Sequence, residues 1–293
     1  MSAYYCSGIY WPGGRVKAVT LSYDDGVEQD IRLISMLNRY GIKATFNLNP
    51  GLFGIHGTVT AGEKEVPHNK IAAERIAEVY QGHEIAAHGD MHLPLLNADL
   101  PHCIMEILQS RIKLEQLLKH PVTGYAYAYG DCSGTIIQAA ESSGIRYART
   151  VISTHTFEVP SDLLKWNPTC HHNDIRLKEH IADFLSDGYS RSRNNPARLL
   201  YIWGHAYEFD QDENWEHAEQ ILEILSGRQD IWYATNGEIA EYILAYRNLI
   251  FTADSAYVFN PGAVPVWVGC FPTQSSVCVR PGETVQLLPP EIH

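Results

Sequence analysis

The chain has 293 residues, 45% of them hydrophobic and 19% charged, enough to bury a large core as one big domain or as a domain with a small annex. Disorder and a collagen-like repeat are excluded by this composition. The 22 basic residues against 34 acidic ones leave a formal charge of −12, with the acidic residues scattered, which argues against a phosphate-tracking surface and hence against a nucleic-acid partner. Residues 1–10 have neither a basic n-region nor an apolar h-region, and no stretch is long and apolar enough for a bilayer. A soluble, cytoplasmic protein with no membrane partner is expected. Six cysteines without a Cys-x-x-Cys pair read as reduced thiols.

Along the chain, apolar runs of strand length alternate with stretches of helical period. Strands are expected at 16–23, 43–48, 84–87, 123–129, 146–151, 163–166, 199–203 and 231–234. Helices are expected at 28–39, 69–80, 103–118, 135–142, 175–185, 213–225 and 237–246, with Gly41, Gly82 and Gly144 where C-terminal caps belong. The alternation predicts a parallel sheet with crossover helices, and the eight strands predict a closed barrel. Residues 51–67 read as a long polar loop on the face where such barrels keep their sites. From about Leu249 the pattern changes to short β-like runs at 256–259, 264–268, 276–279 and 284–288. The expected division is a barrel over 1–248 and a small β extension over 249–293, structural or oligomer-forming.

Three clusters fall at the C-terminal ends of predicted strands: Ser-Tyr-Asp-Asp-Gly at 22–26, His-Gly-Asp-Met-His at 88–92 and Trp-Gly-His-Ala-Tyr at 203–207. Singly they say little. Asp-Asp-Gly is more often an ordinary turn, fourteen histidines make one i, i+4 pair unsurprising, and a lone His205 is more often structural. Their shared location carries the argument, because strand ends on one face of a barrel converge on a single pocket. A divalent metal on Asp25, His88 and His92 would have an imidazole and carboxylate set with an open position, as in catalytic sites. Asp24 could then take a proton from the attacking water while the metal polarises a carbonyl, and His205 could protonate a leaving nitrogen. Hydrolysis of an amide or ester is the chemistry expected.

With Tyr-Ala-Tyr-Ala-Tyr-Gly at 125–130 and Ile-Trp-Gly-His at 202–205 added in this order, the chain resembles the polysaccharide deacetylase family, the NodB-like carbohydrate esterases, over roughly 16–246. The resemblance implies a distorted (β/α) barrel that removes acetyl from an N-acetylated saccharide with a divalent metal, zinc first and cobalt or nickel next. Matched position by position, it implies Asp24 as base, Asp25, His88 and His92 as metal ligands, the backbone N–H of Tyr129 at the oxyanion, and His205 as acid.

Two departures from that pattern stand out. Ala126 occupies a place where many members have an arginine that pairs with the base, and Arg149, which closes the next predicted strand, is the expected surrogate. The fourth motif of the family is replaced by residues 165–172, leaving Glu208, Asp174 and His171 as candidates to tune His205. Tyr127, Trp166, Trp203 and Tyr207 are the candidate sugar-stacking aromatics. Two alternatives stay open: the same barrel acting on a formamide, ureide or O-acetyl ester, and a non-catalytic carbohydrate-binding barrel.

Overall fold

The computed structural model describes residues 6–61, 64–186, 196–270 and 275–287. Residues 1–5 and Leu288, the last residue of the final expected strand, lie outside the described residues. In chain order the first elements are β1 (Cys6–Tyr10), β2 (Lys17–Asp24), α1 (Gln29–Tyr40), β3 (Thr45–Leu48), β4 (Thr58–Ala61), β5 (Lys64–Pro67), α2 (Ile76–Val79) and β6 (Glu84–Ala87). There follow α3 (Leu100–Leu118), β7 (Gly124–Ala126), α4 (Gly134–Ser142), β8 (Tyr147–Arg149), β9 (Cys170–His171), α5 (Leu177–Leu185) and β10 (Arg198–His205). The last are α6 (Glu208–Gln211), α7 (Trp215–Leu225), β11 (Ile231–Tyr233), α8 (Asn236–Arg247), β12 (Ile250–Phe251), β13 (Tyr257–Phe259), β14 (Val266–Cys270), β15 (Ser275–Val279) and β16 (Thr284–Gln286).

One sheet in the order β8-β7-β6-β3-β2-β10-β9, its strands parallel, forms the distorted barrel of the NodB-like type. Its central strand β2 is buried along its whole length, as a strand covered on both faces must be. β10 runs beside β2 from Lys17 to Asp24, while the other edge of β2 is shared by β11 at its start and β3 at its end. The ring closes imperfectly. Between β8 and β9 the expected strand at 163–166 is reduced to an isolated bridge from Trp166 to Arg149, with the Leu163 carbonyl accepting from Ala148 N–H at 2.7 Å.

Helix ends follow local chemistry. Asp99 caps α3 by accepting from the His102 N–H, Thr235 and Glu238 form a reciprocal capping box on α8, and Gly41 ends α1 at φ 66°. Two further expectations are corrected. The helix expected at 69–80 survives only as a short turn and α2, because the Val27–Lys70 bridge and the Gly26 and Asn69 carbonyls hold the chain extended across the end of β2. The polar loop expected at 51–67 contains the β4–β5 hairpin.

Away from the site, β1 joins β14 and β15 in an antiparallel sheet, so the N-terminal strand completes the C-terminal β region. Ile9, Trp11, Val258, Val266, Val268 and Val279 are buried here together with Ile239, Tyr242 and Ile243 of α8. The Tyr242 hydroxyl donates to the Tyr10 carbonyl at 2.7 Å and accepts from the Trp267 N–H at 2.9 Å. Trp11 donates its indole N–H to the Arg198 carbonyl at the start of β10, which places this sheet at the end of the barrel opposite the strand C-termini.

We propose that 249–293 is a structural extension of the domain over 1–248. A chain ended after Leu249 would expose this apolar face, at about 1.5–3 kcal/mol per buried Val or Ile. It is expected to be insoluble or to unfold at much lower temperature, as read by solubility and thermal melts. A well-folded remnant with altered substrate choice would point to a binding role instead.

Candidate active site

Adjacent residues of a strand point to opposite faces, so Asp24 and Asp25 can share a pocket only if the strand ends between them. It does: Asp25 has φ 84° and Gly26 φ 65°, a left-handed pair that turns the chain abruptly. Asp24, 2% exposed, ends β2 facing the barrel interior. Its Oδ1 accepts from Asn47 Nδ2 of β3 at 2.8 Å, and its Oδ2 pairs with Arg149 Nη2 from β8. Arg149 is fully buried, donates to the Thr150 carbonyl at 3.2 Å, and lies 4.4 Å from the Trp203 ring centroid. Burial alone would raise the Asp24 pKa; Arg149, His88 and His205 outweigh it and hold the carboxyl below its ordinary range.

Asp25 is held by two residues that sequence reasoning missed. Lys70 Nζ donates to the Asp25 carbonyl at 2.7 Å and stands 3.2 Å from Oδ1, while His68 Nε2 lies 3.2 Å from Oδ2. Here too burial works to raise the pKa, and Lys70 with the His68 hydrogen bond brings it well below the carboxylate range. The same extended pairing that prevents a helix at 69–80 delivers these side chains.

The turn at 88–92 is fixed from both sides. Asn49 Nδ2 donates to the carbonyls of His88 (2.6 Å) and Gly89 (3.1 Å), and Glu106 Oε1 of α3 accepts from the N–H groups of Met91 (2.8 Å) and Leu93 (3.3 Å). Gly89 is required twice over: φ is 82°, and a Cβ there would stand 2.7 Å from Glu106 Oε1. His88 Nδ1 donates to the Ala126 carbonyl at 2.8 Å, which leaves Nε2 as a bare lone pair. That atom is 3.2 Å from His92 Nε2, and His92 Nε2 is 3.9 Å from Asp25 Oδ1. Burial lowers the pKa of both imidazoles, that of His92 to about 4 with help from His88, so both are neutral imidazoles at pH 7. Asp25, His88 and His92 thus bring three ligand atoms within 4.8 Å of one another, and this donor set fits one divalent metal.

On the opposite side His205 ends β10, its Nε2 at 3.9 Å from Asp24 Oδ2. Its Nδ1 stands 3.3 Å from Glu208 Oε2, and its backbone N–H donates to the same oxygen at 3.0 Å. His171 Nε2 and His172 Nε2 reach that oxygen at 3.2 and 3.1 Å. The Asn173 N–H donates to His171 Nδ1, so the His171 proton sits on Nε2, aimed at Glu208. Gly204 makes room, since a Cβ there would stand 2.2 Å from His172 Nδ1. Burial would lift the Glu208 pKa, but the three imidazoles keep it far below the carboxylate range; His205, which burial would lower, is raised by Glu208, Asp25 and Asp24 to about 9. Asp174, the other carboxylate considered as a partner for His205, instead faces His155.

The four expected sugar-stacking aromatics divide. Tyr127 and Trp166 are each 1% exposed, a correction to their expected role: the Tyr127 hydroxyl donates to the Leu164 carbonyl, and Trp166 packs against Tyr147 and Tyr201. Trp203 and Tyr207 are half-buried beside His205, Tyr207 also meeting His68. Tyr129, 64% exposed at φ 57°, packs its ring 4.5 Å from that of His92 at the rim. Cys103 and Cys170 are buried free thiols. Among the described residues no helix is long and apolar enough to cross a membrane.

Two solved structures support a common fold at TM-scores above 0.5. A protein from Mycobacterium smegmatis described as a polysaccharide deacetylase is 20% identical, with 82% of this chain covering 94% of that one at a TM-score of 0.57. One from Pseudomonas aeruginosa PAO1, similarly described, is 16% identical, with 79% of this chain covering 92% of that one at 0.56. The Streptococcus pyogenes deacetylase PplD, solved with acetate, is 22% identical over 50% of this chain and 61% of that one, with a TM-score of 0.43. No curated protein matches in sequence. Residues 13–148, which contain β2, the Asp24–Asp25 turn and the turn at 88–92, match the polysaccharide deacetylase family.

Proposed function

We propose that this protein is a deacetylase that removes the N-acetyl group from an N-acetylated saccharide, releasing acetate, with one divalent metal, zinc first, on Asp25, His88 and His92. The observation that supports it is the placement of Asp24 Oδ2 and His205 Nε2 3.9 Å apart and beside the three ligand atoms, with the Asp24 pKa held below and the His205 pKa above its ordinary value. When bound, the metal supplies Lewis-acid polarisation of the acetyl carbonyl and makes water easier to deprotonate.

The chain's own residues do the rest. Asp24 takes a proton as water attacks the carbonyl carbon, and Arg149 and Asn47 fix its rotamer so that the accepting lone pair is already placed. The Tyr129 N–H donates to the oxygen that gains charge. As the C–N bond breaks, His205 Nε2 gives its proton to the leaving nitrogen, and Glu208 compensates the imidazolium until then. Trp203 and Tyr207 offer partly exposed rings to the sugar.

Division of labour between adjacent aspartates is directly testable. Asp24→Asn should lower kcat by about 10²–10⁴-fold with metal content unchanged, whereas Asp25→Asn should lose metal; equal metal contents would break this assignment. Arg149→Ala should lower kcat by roughly 10–100-fold in protein that keeps its metal and its circular dichroism, and Arg149→Lys should recover little because the planar fork is gone. Normal turnover in Arg149→Ala would remove Arg149 from the mechanism.

The pH profile tests Glu208. His205 must carry a proton to act, so activity should fall as pH rises through its pKa, and Glu208→Gln, which removes the compensating charge, should move that alkaline limb to lower pH. An unmoved limb would assign Glu208 a structural role only.

A further inference from the structure

A second group of ligand-type side chains lies outside this site, where the crossover after β8 meets α5. His155 comes from that crossover, Asp174 from the turn after β9, and His180 from the buried face of α5. His155 Nδ1 stands 3.0 Å from His180 Nε2 and 3.5 Å from Asp174 Oδ2, and the three atoms lie within 4.8 Å of one another. Ligand atoms around a tetrahedral zinc are spaced roughly 3.3 Å apart, given Zn–N bonds near 2.0–2.1 Å.

Each residue is positioned by contacts of its own. His155, a non-glycine residue at φ 54°, donates its N–H to the Thr169 carbonyl at 2.9 Å. Asp174 Oδ1 accepts from the Arg176 N–H at 2.8 Å, which leaves Oδ2 to face His155. His180 is 2% exposed on a helix whose other inward residues are Leu177, Ile181 and Phe184.

Protons alone serve these three atoms poorly. A ring nitrogen either donates or accepts. If His180 Nε2 donates to His155 Nδ1, the Asp174 carboxylate faces a lone pair; if His155 Nδ1 donates to Asp174, the His180 nitrogen must share that same hydrogen. A cation at the common centre uses all three lone pairs at once. This differs from the group around Glu208, where the Asn173 N–H fixes the His171 proton on the nitrogen that faces the carboxylate, making it a donor and not a ligand.

We infer that His155, Asp174 and His180 form a second divalent-metal site, of the zinc type because two of its three ligands are imidazoles. Its ion ties the crossover that closes the barrel seam to α5, and the exposed edge of His155 leaves a position for water and a route from solvent.

The test is zinc stoichiometry on the full chain, stripped with chelator, reloaded with zinc chloride, desalted and measured by elemental analysis, alongside thermal melts. Wild type should hold two equivalents. His88→Ala should keep one and still gain melting temperature on zinc addition; His88→Ala with His155→Ala should hold none and gain nothing. Asp174→Asn in the His88→Ala background gives a second, independent route to that loss. A wild type with a single equivalent that His88→Ala removes would overturn this site while leaving the catalytic metal intact. A second equivalent that persists through both His155→Ala and Asp174→Asn would overturn it too. Failure of the catalytic reading looks different, since His88→Ala would then remove no zinc.

Discussion

The Asp24–Arg149 pair constrains the whole barrel. Its residues end β2 and β8, which are separated by three strands in the sheet; laid flat, four strand spacings would put them roughly 19 Å apart. They meet because the sheet curls until its far strands face each other. Both groups are removed from water, so the pair is worth little net stability, yet breaking it would leave an isolated buried charge at a cost of about 3–5 kcal/mol. Barrel closure and the ionised state of Asp24 are therefore one feature. The Trp166 bridge at Arg149 and the Trp203 ring over its guanidinium hold that feature from the seam side.

Around this pair the charges are sorted by what supports them. Asp25 faces a lysine and a histidine, His88 spends one nitrogen on a backbone carbonyl, and Glu208 gathers three imidazoles. The outcome is two ionised aspartates and two neutral imidazoles on one side of the pocket, and a protonated imidazole on the other. Such opposed protonation states in one pocket are what an acid–base hydrolase requires. Their order comes from strand ends and sharp turns, the left-handed Asp25 and Gly89 among them, and not from the loops that extend beyond them.

Much of this was legible in the sequence. β6 matches its expected bounds, β2 and β10 include theirs nearly whole, and the three clusters at their ends meet in one pocket. Arg149 was reachable because a buried carboxylate needs a partner and Ala126 offers none. His68 and Lys70 were not, because residues 69–80 carry a helical pattern that pairing with 26–28 overrides. Tyr127 and Trp166 were misplaced for a different reason: proximity in sequence to a motif does not say which face of a strand an aromatic occupies, and both rings fill the core. Glu208 was one candidate among three, and only the convergence on its Oε2 distinguishes it. β1 belongs with β14 by a pairing across more than two hundred and fifty residues, beyond the reach of local pattern.

Anomalous scattering from crystals of the zinc-loaded protein, collected on either side of the zinc edge, tests the central claim most directly. The account predicts a peak ligated by Asp25, His88 and His92, with Asp24 outside its coordination sphere and still paired with Arg149. A peak ligated by Asp24, or an Arg149 guanidinium turned away from it, would contradict the account.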